Sequence, residues 1–521
     1  MMHSRKASLI IMGIVHSLLF IMLSLLYYDF VLDDAFITYR YAKNLANNHG
    51  LVWNISEKPV EGYTSFLWVI INAAGIRLSV DPVVCSKVVA VAAGLAIIWI
   101  LVAANRNIPW WVSFILVGAV SLSPAFAFLT MQGMETTLTA LLLLISGWLS
   151  MAVVSNPGKL NISLWYMAAL LSLLSRPDTI PFNAGILLGL IILFVLNRDH
   201  KTLRIIFLAG VAFTLISSLY MIWRYNYFGH LFPNPFYIKF NTQIDWLDID
   251  ISLNYISEFA KTILLPYIIF TVILRLKQPP DIRQISNIIP ILSGCILFSG
   301  YLLFARPGMQ AFLWRFIFPV FPAFLLALIY YLGNSVITLP KFLSNREWQI
   351  SVLLLFAVWP LHLIPLTLQE KEKRTQADRV IVGKALAGIP ATIFITETGA
   401  VPYYSECRAV DMLGITSEEI THKGLSLNTL TVLNPDLIMV FQKSGEYLPN
   451  NYPTRLTNQY MLDSEFIAVA AINKSKESYH YYFVRRRSEF FDEIVKRLRN
   501  INTVKYGDLG KLIKEKRMPR L

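Results

Sequence analysis

The sequence predicts an all-α polytopic membrane domain followed by a small α/β domain, and three observations carry that reading. The 521 residues are 55% hydrophobic and only 15% charged, an imbalance unlike that of water-soluble proteins of this length. The apolar residues gather into runs of about 17–22, enough to cross roughly 30 Å of hydrocarbon as helix. From residue 368 onward charge returns and short β-type runs replace the long ones. The chain therefore divides into a transmembrane domain over 1–367 and an extracytoplasmic α/β domain over 368–521.

Eleven spans are expected, at 8–28, 83–104, 110–129, 137–154, 161–175, 179–197, 205–224, 259–275, 287–304, 316–333 and 349–367. The first follows His3, Ser4, Arg5 and Lys6. It is longer than a signal-peptide core and lacks a small-residue cleavage site, so it reads as a retained helix with a cytoplasmic N-terminus. From that start, the loops holding Arg106, Lys159, Arg198, Lys201, Arg204, Arg275, Lys277, Arg283, Lys341 and Arg346 all fall in the cytoplasm. The opposite connections, 130–136, 176–178, 225–258 and 305–315, hold few basic residues, as the positive-inside rule requires. The same asymmetry accounts for much of the net charge of +13 without a nucleic-acid partner. Segment 62–78 is short and carries Asn72 and Arg77; it reads as a re-entrant piece of the first outer loop. Cys85, Cys295 and Cys407 show no pairing or metal-binding spacing.

In the tail, β-type runs at 392–396, 402–405, 437–441 and 481–484 alternate with helical stretches at 417–423 and 489–499. A unit of about 150 residues is a normal domain size.

The chemistry-bearing residues cluster in the outer connections. After the first span, Ile37, Tyr41 and Leu45 recur every four residues while Arg40, Lys43 and Asn44 lie elsewhere round the wheel. That is an amphipathic helix lying along a membrane surface. Asp33 and Asp34 open it, where the helix dipole favours negative charge. They fit N-capping, and equally a base facing a charged head group. Glu135 stands at the mouth of an apolar helix, as an acidic first turn or as a site residue. Arg176 and Asp178 form either an internal ion pair or part of a cavity. The loop around His230, Asn234, Tyr237 and Lys239 offers aromatic faces and one point charge for phosphate, although an interfacial aromatic belt also explains the rings. Arg315 heads the tenth span, where it fits two-bond phosphate binding or snorkelling. The sequence has no P-loop, no dinucleotide fingerprint, no zinc-protease motif and no serine-nucleophile motif. No motif requires a cofactor; a divalent cation beside the carboxylates is compatible with them.

Together these segments resemble one family. They are Leu32-Asp33-Asp34-Ala35-Phe36-Ile37-Thr38-Tyr39-Arg40, His49-Gly50-Leu51-Val52-Trp53-Asn54, Glu61-Gly62-Tyr63-Thr64, Gly133-Met134-Glu135-Thr136, Arg176-Pro177-Asp178, the Tyr227 to Lys239 stretch, and Arg315-Phe316. Thr398-Gly399-Ala400 and Val410-Asp411-Met412-Leu413-Gly414 extend the pattern into the tail. The chain resembles the GT-C cell-envelope arabinofuranosyltransferases, including the terminal β-(1→2) enzymes. The resemblance implies a GT-C membrane domain and transfer of arabinofuranose from a polyprenyl-phosphate carrier to an envelope glycan or glycoconjugate, outside the cell membrane. It implies a catalytic base at Asp33 or Asp34, and donor phosphate contacts from Arg315, Lys239 and Arg176. It implies substrate contacts from Arg40, Glu61, Tyr63, Glu135, His230, Asn234 and Tyr237. The chain departs from the family where His230 replaces a frequent acidic residue, where 306–314 replaces a Gly-Gly-Asp-like run, and where Glu397 stands near a common Asp. Those departures bear on which lipid-linked sugar, arabinofuranose, mannose or another, is used.

Two other classes are separable. A secondary transporter would show a repeat between its halves, and none is seen. A non-catalytic scaffold would not need the acidic pair.

Overall fold

The computed structural model describes residues 2–105, 108–239, 246–275, 281–305, 312–333, 341–442, 452–475 and 478–501. The membrane domain begins with α1 (Met2–Leu25), α2 (Asp33–Ala46), α3 (Phe66–Arg77), α4 (Pro82–Ala104), α5 (Trp110–Ser121), α6 (Pro124–Met131) and α7 (Thr136–Ser155). It continues with α8 (Lys159–Ser175), α9 (Ile180–Leu196), α10 (His200–Phe228), α11 (Asn234–Lys239), α12 (Trp246–Phe259) and α13 (Leu265–Arg275). It ends with α14 (Ile282–Ala305), α15 (Phe321–Gly333), α16 (Arg346–Val358) and α17 (Ile364–Lys373).

Among the described residues nine helical runs are long and apolar enough to cross a membrane. A bent pair, α5 with α6 at 41°, makes a tenth. The remaining expected span, 161–175, lies on the 17-residue α8. The chain is thus a multi-pass membrane protein. Sequence explains the breaks. Ser123 caps α6 by accepting the Phe126 N–H, and Pro124 sits at the first helical position, where its missing N–H costs nothing. Asp81 and Pro82 open α4 in the same way. Segment 62–78 becomes the 12-residue α3, about 18 Å at 1.5 Å per residue and too short to cross.

Beyond α1 the chain is pinned at its turn. Lys87 of α4 donates to the Tyr28 carbonyl, and Lys371 of α17 donates to the Leu26 carbonyl at 3.0 Å. Cations suit a helix C-terminus, where carbonyls are left without partners.

The C-terminal domain adds α18 (Ala377–Ala385), β1 (Thr392–Ile395), α19 (Ala400–Ser405), β2 (Arg408–Asp411), α20 (Glu418–Lys423) and α21 (Leu427–Leu433). It finishes with β3 (Leu437–Gln442), α22 (Tyr452–Asp463), β4 (Phe466–Ser475), β5 (Ser478–Arg485) and α23 (Phe491–Arg499). The five strands run in the order β2-β1-β3-β5-β4. β2, β1 and β3 are parallel, whereas β5 is antiparallel to β3 and β4.

Alternation of side chains along the strands makes two cores. Phe394, Ile438, Val440, Tyr481 and Phe483 pack with Ile420, Leu430 and Met461. Ile393, Ile395, Met439, Tyr482 and Val484 pack with Val382, Ile494 and Leu498. That second core also takes in Ile37, Tyr41 and Ala42 of α2, with Trp53 and Tyr63. One face of the sheet domain is therefore continuous with the first loop.

One expected strand is corrected. Residues 402–405 lie in helix α19; Pro402 occupies its first turn, where a missing N–H is harmless. Two strands, β2 and β4, are not evident in the sequence. β2 is four residues with an arginine and an aspartate at its ends, and β4 is broken in register between Ala468 and Ala470.

Candidate active site

The site is built around the first turn of α2. The loop before α7 supports it: Leu32 N–H donates to the Gln132 carbonyl at 2.9 Å, and Tyr39 and Trp68 both donate to the Gly133 carbonyl. Gly133 has φ +82°, a left-handed conformation that glycine adopts without strain, and an added Cβ would collide with the Tyr39 hydroxyl.

Asp33 and Asp34 part company here. The Asp33 carboxylate turns toward the C-terminal domain, accepting the Gly399 N–H at 3.1 Å and the Ala400 N–H at 3.0 Å. Nη1 of the buried Arg379 lies 3.4 Å away. Burial pushes the Asp33 carboxyl above its ordinary range, against the pull of Arg379. Gly399 is required by this approach, because a Cβ there would strike Asp33. Asp34 turns the other way, toward Arg315, whose Nη1 is 3.8 Å from its carboxylate. The Asp33 side chain is 14% exposed and that of Asp34 36%, so the two acids divide into an anchored one and an accessible one.

The cations gather opposite Asp34. The guanidiniums of Arg315 and Arg374 share the Phe312 ring, at 5.7 and 3.8 Å from its centroid. Those of Arg315 and Arg176 share the Phe316 ring, at 5.6 and 5.2 Å. Their pairing differs. Arg176 is gripped by Asp178 through Nε and Nη2, at 2.9 and 2.5 Å, and by Glu135 at 3.3 Å. Arg374 Nε donates to Glu370 at 2.9 Å. Arg315 is 4% exposed, yet its Nε and Nη1 have no hydrogen-bond partner among the described residues. A buried cation with open donors is costly unless an anion fills them. Such burial also removes snorkelling as an account of Arg315, since a snorkelling head group reaches the interface.

The remaining sequence-nominated residues fall in two groups. Arg40 points four of its N–H donors at protein acceptors: Trp53, Pro402, Asn54 and Cys407. It lies over the Trp53 ring at 4.5 Å, and so fastens α2 to the C-terminal domain. Glu61 makes a buried two-point pair with Arg224, Nε to Oε1 at 3.2 Å and Nη2 to Oε2 at 2.5 Å. Tyr63 is buried edge-on to Tyr41. Glu61 also lines a small surface cleft with Phe228, His230, Phe232, Asn234 and Glu418. His230 sits 3.1 Å from Glu418 and stacks on His422 at 4.1 Å. Asn234 donates to the Glu61 carbonyl through its backbone and to the Gly414 carbonyl through Nδ2. Tyr237 meets His422 edge-on at 4.8 Å. The structure thus brings Asp34, Arg315, Arg176 and Glu135 together. His230, Asn234, Tyr237 and Glu61 form a second cluster against α20. The Lys239 side chain and Arg306 lie outside the described residues.

Arg374 and Arg379 were missed by sequence reasoning. Arg374 ends the charged run Gln369-Glu370-Lys371-Glu372-Lys373-Arg374, which reads as solvated tail; its one signal was the position directly after the last span. Among the described residues no group of three His, Cys, Asp or Glu side chains is arranged to hold a metal ion.

Residues 369–485 match the family described as a domain of unknown function, DUF8728. No curated protein matches the chain. The structure is similar to that of ArnT from Cupriavidus metallidurans bound to undecaprenyl phosphate, with TM-score 0.61 and 12% identity, covering 90% of this chain and 97% of that one. It is also similar to the same protein in the apo state, with TM-score 0.57 and 12% identity, covering 92% and 98%. At that identity the likeness is one of fold: this chain has the ArnT-like GT-C fold, a multi-pass helical domain carrying a small sheet domain.

Proposed function

We propose that this protein is a membrane glycosyltransferase that moves a sugar from a polyprenyl-phosphate carrier to a glycan or glycoconjugate acceptor. The observation that carries the reading is Arg315, a buried cation with open donors set beside an accessible carboxylate. The fold supports it: one ArnT structure of the same fold is bound to undecaprenyl phosphate, and we carry that ligand class over. On this reading, which follows the loop charges, the N-terminus lies in the cytoplasm and the site and C-terminal domain lie on the outer side of the cell membrane. Nucleotide sugars are absent there, so a lipid-linked donor is needed.

The carrier phosphate is held by Arg315, whose guanidinium has donors without a partner among the described residues, with Arg374 and Arg176 beside it on the shared Phe312 and Phe316 rings. Asp34 is the base, because Asp33 is already engaged by two amides and Arg379. An acceptor hydroxyl loses its proton to Asp34 while its oxygen bonds to the anomeric carbon. The bond from that carbon to the phosphate oxygen breaks, and its electron pair leaves with polyprenyl phosphate. Arg315 stabilises the charge growing on that oxygen, the kind of preorganised electrostatics that dominates many transfers. Arabinofuranose is the donor sugar we propose first, from the motifs of the first loop; mannose or another lipid-linked sugar is the alternative. The test is transfer by purified protein from a panel of polyprenyl-phospho-sugars. Turnover of the arabinofuranose donor supports the full reading. Turnover of a different donor keeps the reaction and replaces the sugar, and turnover of none removes it.

A further inference from the structure

The C-terminal domain reaches the acidic pair through a cluster of five ionisable side chains. Arg379 of α18 is 1% exposed. It pairs with Glu397, lies 3.4 Å from Asp33 and sits 3.7 Å from Asp378. His480 of β5, fully buried, closes the cluster: Nδ1 is 2.6 Å from Asp378 and Nε2 is 2.9 Å from the same Glu397 oxygen that Arg379 holds. With a carboxylate on each ring nitrogen, only the doubly protonated imidazole can donate to both. Three carboxylates then face two cations. Such a buried network resists rearrangement, because breaking one pair strands a charge away from water.

We propose that Arg379, held by Glu397, Asp378 and His480, is a positioning residue that acts through Asp33 to fix the first turn of α2 and hence the aim of Asp34. This rests on the transfer reading for its kinetic consequence. It does not rest on it for the positioning itself. Asp33 and Asp34 are adjacent in one helical turn, so any shift of the Asp33 anchor turns Asp34 relative to Arg315. The C-terminal domain is on this account part of the catalytic frame. The phosphate cations, by contrast, are held by carboxylates outside this cluster: Glu135 and Asp178 hold Arg176, and Glu370 holds Arg374. Loosening Arg379 therefore leaves carrier binding in place.

The test uses the full-length protein in lipid nanodiscs, with Arg379→Gln, Arg379→Lys and Glu397→Gln. The last keeps a neutral side chain of the same shape in case Arg379→Gln does not fold. Hydrogen exchange over residues 33–37 should quicken in Arg379→Gln or Glu397→Gln while β1 and β3 keep their protection. The kcat should fall about 10²-fold, the size expected from a misplacement of about 1 Å, with the donor KM within about twofold. Arg379→Lys should recover part of kcat. Adding Arg379→Gln to Asp34→Asn should cost nothing further, since both act on one step. A purely structural Arg379 would instead give unchanged kcat per folded molecule, or equal losses with and without Asp34; either result overturns the proposal. If the wild type transfers from no donor, the transfer reading fails, and the exchange result alone decides: unaltered exchange at 33–37 removes the positioning role and quickened exchange keeps it.

Discussion

Nη1 of Arg315 stands 3.8 Å from the carboxylate of Asp34, close enough for attraction and too far for a hydrogen bond. The Nε of the same guanidinium also lacks a hydrogen-bond partner among the described residues. The proposed base and the proposed phosphate-binding cation are thus held as neighbours without satisfying one another.

Arg315→Lys should raise the donor KM by about tenfold, because lysine keeps the charge but loses the two-bond fork. Arg315→Ala should raise it further. Saturation kinetics with a short-chain polyprenyl-phospho-sugar check this; an unchanged KM for the lysine variant would take Arg315 out of the site.

Arg176 should behave differently. Its guanidinium is already matched by Asp178 and Glu135, so Arg176→Ala leaves two carboxylates facing each other near the membrane boundary. Removing one partner of a buried ion pair costs about 3–5 kcal/mol. The expected outcome is a lower thermal midpoint and less folded protein, measured by fluorescence-detected size exclusion after heating. Normal stability with a raised donor KM would place Arg176 with Arg315 instead.

Gly399→Ala should destabilise the junction between α2 and the C-terminal domain by about 1–3 kcal/mol, the usual cost of overpacking, since the added methyl meets Asp33. Thermal unfolding of Gly399→Ala beside Gly388→Ala, a site with open space but a positive φ of +80°, separates collision from backbone strain. Equal losses in both would mean that contact with Asp33 contributes nothing.

The stability of the C-terminal domain should fall with rising pH. Burial works to lower the pKa of His480, but Glu397 and Asp378 outweigh it and hold the value above its ordinary 6.5. A raised folded value means that the contribution is complete below about pH 6.5 and is lost as pH rises through the folded pKa. His480→Gln should be less stable at pH 6 and show a flatter decline on the alkaline side. Parallel curves for wild type and variant would contradict the charged His480.

The spans were legible because a membrane demands long apolar runs, and 62–78 could be set aside because α3 is short. The acidic pair was legible as a pair and not as two roles. Only the fold shows Asp33 meeting Gly399, 366 residues away. Arg40 stood out as a cation beside the pair, yet its partners Pro402 and Cys407 lie more than 350 residues on. The Arg379 cluster joins α18 to β5 across 102 residues, a distance no local pattern spans. The strand expected at 402–405 failed because Val401-Pro402-Tyr403-Tyr404 has β-type residues, while packing of Tyr403 and Tyr404 on Phe36 favours a helical turn.

Transfer by Asp34→Asn protein is the most direct test. The substitution keeps shape and removes the proton acceptor, so the rate from the wild type's preferred polyprenyl-phospho-sugar should drop about 10²–10⁴-fold, with folding and donor KM nearly unchanged. Asp33→Asn should instead lower the thermal midpoint, because an amide cannot accept both the Gly399 and Ala400 N–H groups as the carboxylate does. A near-wild-type rate for Asp34→Asn would contradict the account and move the search for the base to Asp33 or Glu135.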